Sequence, residues 1–236
     1  MDNLVVALET ADSLGVNIFS VSLGYAEFDN PKWTLPKSAL DGKTTRASRA
    51  ATIAARKGML VCVAAGNEGD DDWRTISVPA DADSILTVGA VGVDSVIGDF
   101  SSYGPAADGR IKPEVCAVGV QATFIGPDQY IATGNGTSFA TPLLAGMAAC
   151  LWSALPNENA MQIRERIIRS ADRYTHPDTK ENHYGYGIPN AWKAYSYPES
   201  VQCTVYDVRA QKILRNGQIL LLFEGRIYDS LGRLIE

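Results

Sequence analysis

Leu4, Ala7, Leu8, Ala11 and Leu14 recur at the three- and four-residue intervals that gather apolar side chains on one face of a helix. They predict a helix over residues 2–14, with Asp2 or Asn3 as its cap and Gly15 as its stop. Asn17–Leu23 reads as a short buried strand ending at Gly24. From Tyr25 to Asp41 no period holds and Pro31 and Pro36 interrupt, which predicts a loop. Thr44–Lys57 is alanine-rich and closes at Gly58, as a helix does. Met59–Ala65, Ile85–Val91 and Glu114–Val118 are largely apolar and do not alternate. Such strands are buried on both faces, and their alternation with helices predicts a mostly parallel, doubly wound α/β sheet.

Gln121–Ile125 and Gln129–Thr133, joined at Gly126-Pro127-Asp128, predict a hairpin. Helices follow over 137–154 and 159–171, with a short one near Pro189–Tyr195. After Val201 the period changes to two. Asn216-Gly217, between Lys212–Leu214 and Gln218–Phe223, is a hairpin turn of the kind that needs positive φ. Tyr206-Asp207 and Tyr228–Arg233 repeat a strand-then-turn phrase. The expected organisation is therefore a main unit over 1–197 and a β-rich segment over 198–236. That segment either resembles the C-terminal tails of secreted or surface proteins of one group of Gram-negative bacteria or is a hairpin packed on the main domain.

The chain has 236 residues, 46% of them hydrophobic, enough to bury a large core. Its net charge of −6 and lack of a basic stripe argue against nucleic acid as a partner. No uninterrupted apolar run is long enough to span a bilayer. Cys62, Cys116, Cys150 and Cys203 are widely spaced, and buried free thiols are the expectation.

Chemistry concentrates at Gly134-Asn135-Gly136-Thr137-Ser138-Phe139-Ala140-Thr141-Pro142, where a loop turns into an apolar helix. Unpaired peptide N–H groups and the positive end of the helix dipole favour negative charge there. A nucleophilic oxygen and the oxyanion it creates both gain from that position. A plain helix cap is the other reading of G-T-S alone. The complete string resembles the serine motif G-T-S-x-[AS]-x-P of the subtilisin-like serine peptidases, the subtilases.

Four more stretches in the right order support this resemblance, which covers residues 1 to about 196. Ala64-Ala65-Gly66-Asn67-Glu68-Gly69 is similar to the family's A-A-G-N-x-G, which implies that Asn67 donates to the oxyanion beside Ser138. Ser22-Leu23-Gly24 is similar to the S-L-G that pairs with an extended substrate. Ser101, Tyr103-Gly104-Pro105 and Tyr184-Gly185-Tyr186-Gly187 fall where the family carries F-S-S-x-G-P and Y-G-x-G. The resemblance implies catalytic roles for Ser138 and Asn67. It implies substrate binding by Ser22, Leu23, Gly24, Ala65, Gly66 and Glu68, with the Ala65–Gly66 segment holding substrate as an added strand. It also implies a cis peptide at Val78–Pro79. The acidic run Glu68, Asp70, Asp71 and Asp72 would favour cationic substrate side chains if two or more face the specificity pocket; otherwise it is a solvated loop.

The family's D-[ST]-G and H-G-T motifs, which precede S-L-G, are absent. The two histidines, His176 and His183, both follow the serine in a polar stretch read as surface loop. Met1 is followed by Asp2 and Asn3 without a signal-peptide pattern. The chain is therefore expected to begin inside a catalytic domain, as the later part of a secreted, periplasmic or surface endopeptidase. A pseudo-peptidase that binds peptide without cutting it is the alternative, as is a surface protein using the fold as scaffold. The expected partner is a peptide or protein, with the chain monomeric. Family members often carry calcium, but the sequence shows no carboxylate cluster with ligand spacing and identifies no cofactor or metal residue.

Overall fold

The structure, a computed structural model, describes residues 1–26, 28–177, 182–197, 210–215, 218–223, 226–228 and 235. Helix α1 (Asp2–Ser13) turns Leu4, Leu8 and Ala11 inward and packs on α2 (Arg46–Arg56). The Thr45 hydroxyl caps α2 by accepting from the Ser48 N–H. Strands β1 (Ile18–Val21), β2 (Leu60–Ala64), β3 (Leu86–Val91) and β4 (Val115–Val118) form one parallel sheet in that order. Every residue of β2 and β3 is buried, which is why their sequences do not alternate.

Strands β5 (Ala122–Ile125) and β6 (Ile131–Gly134) form the predicted hairpin and deliver the chain to α3 (Thr137–Ala154). Helix α3 packs across all four strands of the sheet with a stripe running from Thr137 through Ala140, Thr141, Leu144 and Ala148 to Leu151. Helices α4 (Ala160–Ser170) and α5 (Ala191–Ser196) complete the unit.

Several expectations change. The 25–41 stretch holds two short 3-10 turns, Pro31–Trp33 and Lys37–Ala39. Among the described residues α3 is the one helix long and apolar enough to cross a membrane, but its inner stripe is committed to the sheet. Cys62 is a buried thiol as expected, whereas Cys150 stands on the outer face of α3 and is exposed. Composition alone gave no sign of which face it takes. Cys203 lies outside the described residues.

Val78–Pro79 is cis, as are Gly104–Pro105 and Lys112–Pro113. Further on, β7 (Ala210–Arg215), β8 (Gln218–Phe223) and β9 (Arg226–Tyr228) form a three-stranded antiparallel sheet. Arg215 pairs with Gln218 in this sheet, on either side of the predicted Asn216-Gly217 turn. That turn, Tyr206-Asp207 and residues 229–233 of the repeated phrase lie outside the described residues.

Candidate active site

β1 and β2 run parallel with Val21 level with Val63, so the loops after them leave the same edge of the sheet. One loop is Ser22–Gly24 and the other is Ala65–Glu68. A two-bond bridge fixes the first: Tyr25 N–H donates to Val78 O at 2.8 Å and Val78 N–H to Tyr25 O at 3.0 Å. Leu23 is 55% exposed, and neither Leu23 nor Gly24 has a backbone hydrogen-bond partner among the described residues. They form an open strand edge, able to pair with an extended peptide.

The second loop is largely closed on itself. Ala65 N–H donates to Val88 O, Ser77 N–H to Ala65 O, and Ser102 N–H to Gly66 O at 3.1 Å. Gly66 N–H meets the Thr137 hydroxyl at 3.3 Å. Ala65 and Gly66 therefore do not act as an added-strand partner; with their peptide groups engaged, they wall the cleft. Gly66 has φ +118°, and a side chain there would fall on the Glu68 carboxylate and the Ser102 and Ser77 hydroxyls.

Glu68 is the member of the acidic run turned toward this cleft: its Oε2 accepts from the Ser102 hydroxyl at 2.9 Å. Asp71 Oδ1 accepts from the N–H groups of Trp73 and Arg74 within its own turn, while Asp70 and Asp72 are exposed.

The N-terminus of α3 meets both loops. Thr137, fully buried, donates to Asn67 Oδ1 from its N–H at 2.8 Å and is placed to do so from its hydroxyl at 3.0 Å. Both groups are donors, so the amide must present its oxygen to Thr137 and its Nδ2 on the other side, toward Gly136. Pro142 sits inside α3 and has no N–H to give to Ser138 O, four residues back. The Ser22 hydroxyl donates to that carbonyl instead, at 3.0 Å. A proline that would weaken most helices here frees the carbonyl that ties the Ser22–Gly24 strand to Ser138.

What remains is a set of unengaged groups at the helix start. Among the described residues, Ser138 Oγ, Ser138 N–H and Asn67 Nδ2 have no hydrogen-bond partner. Two N–H donors beside a half-buried hydroxyl, at the positive end of α3, can hold a negative oxygen. The structure thus brings Ser22, Gly66, Asn67 and Ser138 together.

It does not bring a histidine to them. His183 packs tilted against Tyr103 with ring centroids 4.0 Å apart, and the exposed His176 meets the Thr175 hydroxyl at Nδ1; neither is hydrogen-bonded to Ser138. Among the described residues no three His, Cys, Asp or Glu side chains gather as metal ligands.

Two contributors escaped the sequence reading. Thr137 was visible in G-T-S, but its grip on Asn67 spans 70 residues of chain. Ser77 is buried with its hydroxyl unpartnered, and a side chain added at Gly24 or at Gly66 would meet that oxygen. It forms the floor between the two loops, and only its place two residues before the cis Pro79 marks it in the sequence.

Comparison with known proteins agrees with this geometry. The model of the subtilase family matches residues 3–187. The serine protease AprX of Bacillus subtilis (strain 168) is 34% identical over 164 residues, covering 61% of this chain and 36% of its own. The thermophilic serine proteinase of Bacillus sp. (strain AK1) is 30% identical over 197 residues, 84% of this chain and 42% of its own. Subtilisin BL of Lederbergia lenta is 32% identical over 191 residues, 81% of this chain and 61% of its own. The chain thus spans less than two thirds of the length of each of these relatives. Among solved structures, the patellamide maturation protease PatA superposes with a TM-score of 0.64 at 25% identity, covering 81% of this chain and 66% of that one. The prenylagaramide maturation protease PagA gives 0.62 at 27% identity, covering 81% and 65%. With a family match over residues 3–187 and with Ser22, Asn67 and Ser138 gathered at the start of α3, the chain belongs to the subtilase family.

Proposed function

We propose that this chain carries the nucleophile and oxyanion donors of a serine endopeptidase, with the histidine and aspartate of the triad supplied from outside these 236 residues. The observation that carries this reading is the pair of unengaged donors, Ser138 N–H and Asn67 Nδ2, flanking Ser138 Oγ. Ser138 Oγ attacks the scissile carbonyl carbon as its proton passes to the histidine, and the carbonyl oxygen gathers negative charge between the two donors. The amine leaves with that proton, and water then releases the acyl group from Ser138. An extended peptide pairs with Leu23 and Gly24, and its side chain before the scissile bond descends between Gly24 and Gly66 toward Ser77. Glu68 lines that descent as a single carboxylate. An extracytoplasmic location, whether secreted, periplasmic or on the surface, accords with this reading.

By itself the chain should not turn over substrate, because a serine hydroxyl with no adjacent base is a weak nucleophile. The purified chain is assayed on a fluorogenic peptide panel beside its Ser138→Ala variant, and equal background from both is expected. The longer gene product should react with a fluorophosphonate at Ser138. If it binds peptide yet leaves Ser138 unlabelled, the peptide-binding pseudo-peptidase is the correct reading.

A further inference from the structure

At the end of the sheet where β3 and β4 begin, the chain between Ala80 and Ile85 turns a series of backbone carbonyls inward. Such oxygens cost free energy when buried without a partner. Asp81 O accepts from Arg110 Nη2 at 2.7 Å, Ala82 O from Arg110 Nη1 at 3.1 Å and from Lys112 Nζ at 2.9 Å, and Ile85 O from Arg164 Nε at 2.7 Å. Ala80 O accepts from the Thr87 hydroxyl at 2.6 Å. The Glu114 carboxylate stands among them: Oε1 accepts from Lys112 Nζ at 2.8 Å and from Arg164 Nη2 at 3.2 Å, and Oε2 from Thr87 N–H at 2.7 Å.

Lys112 is the centre of this arrangement. It is completely buried, and its three ammonium hydrogens are matched by three oxygens: a carbonyl, a hydroxyl and a carboxylate. Carbonyl and carboxylate oxygens converging on one point are the donor set of a hard cation. Here the point is occupied by a cation the chain itself supplies. Calcium would need about six to eight oxygens, whereas the neighbouring oxygens are already held by two guanidinium groups whose positive charge opposes a divalent ion. This cluster of oxygens is thus closed to calcium.

We propose that Lys112 acts as a built-in cation: its ammonium holds the Ala80–Thr87 turn in the way a bound metal ion would, and makes that turn independent of metal. The turn includes Ala80 and follows Ser77 and Pro79 directly, so its shape is transmitted to the floor of the cleft.

The test is thermal unfolding of the 236-residue chain and of its Lys112→Ala and Lys112→Met variants. Each is measured at one ionic strength in choline, sodium, potassium, calcium and ethylammonium chlorides, and in choline chloride with a chelator. The wild-type melting temperature is expected to be the same in all six. Lys112→Met, which fills the space without charge, should melt about 10 °C lower. Lys112→Ala should melt lower still in choline and recover several degrees in ethylammonium or potassium, which fit the emptied cage. A wild-type chain that loses stability to the chelator and regains it with calcium would overturn the proposal. So would a Lys112→Met variant as stable as wild type, or a Lys112→Ala variant indifferent to the cation. If neither variant folds, amide hydrogen exchange at Leu86 and Thr87 of the wild-type chain gives the local reading: protection unchanged between choline, calcium and chelator is expected, and protection gained with calcium would overturn the proposal.

Discussion

Thr137 donates to Asn67 Oδ1, which leaves the amide Nδ2 directed at the space beside Ser138. If the longer gene product is the proposed endopeptidase and Thr137 acts by holding the amide, Thr137→Val there should lower kcat about three- to tenfold and leave KM nearly unchanged. Asn67→Ala should lower kcat by about 10²–10³, the loss measured for the corresponding donor of a subtilisin. In the Asn67→Ala background the Thr137→Val loss should vanish; additive losses would show that Thr137 works by another route. Ser77 permits a separate prediction. Its hydroxyl fills the space between Gly24 and Gly66, so Ser77→Gly should raise kcat/KM for large apolar side chains before the scissile bond by about tenfold relative to alanine. Unchanged selectivity across a substrate library would remove Ser77 from the specificity floor.

At the scale of elements, the sheet and helices are stabilised by packing and the termini by local caps. Asn159 Oδ1 accepts from the N–H groups of Met161 and Gln162, and Gln162 Oε1 accepts in return from Asn159 N–H. Reciprocal caps satisfy donors that the helix cannot satisfy internally. Asn159→Ala should therefore cost about 1 kcal/mol, read as a lower denaturant midpoint with an unchanged slope. A loss within error would show that solvent replaces the cap fully. Helix α3 obeys a different logic. Its Gly136 start carries no side-chain cap, and Pro142 interrupts its ladder. The first leaves the Ser138 N–H open and the second frees the Ser138 carbonyl for the Ser22 hydroxyl, so a locally imperfect helix serves the site.

Across the whole molecule, burial sets the response to pH. Burial in β2 pushes the Cys62 thiol from its ordinary 9.0 up to about 12. The folded state therefore keeps this proton through a window in which the unfolded chain gives it up. Its stabilising contribution is complete below pH 9 and is lost as the pH rises toward 12, at about 1.4 kcal/mol per pH unit. Denaturation series from pH 8 to 11 should fall more steeply for wild type than for Cys62→Ala; parallel curves would refute this. At pH 8 the exposed Cys150 should react with a thiol reagent while Cys62 waits for unfolding.

The order of elements and the parallel sheet were legible in the chain, because they depend on local pattern, and the family resemblance of the G-T-S string marked Ser138 as the candidate nucleophile. Runs such as Leu60–Ala64 can be buried only on both faces, and glycines on either side of Asn135 make the turn before Ser138. Tertiary structure decided what depends on residues far apart in the chain. It closed the Ala65–Gly66 peptide groups against added-strand pairing, turned Glu68 alone of its acidic run toward the cleft, exposed Cys150, and set Ser77 beneath both loops. It also gave Asn67 its orientation through Thr137, and gathered Lys112, Glu114 and Arg164 around carbonyls of another segment. A hydrogen bond spanning 70 residues leaves no periodic trace in the chain, since its partners are chosen by the packing of the elements that carry them.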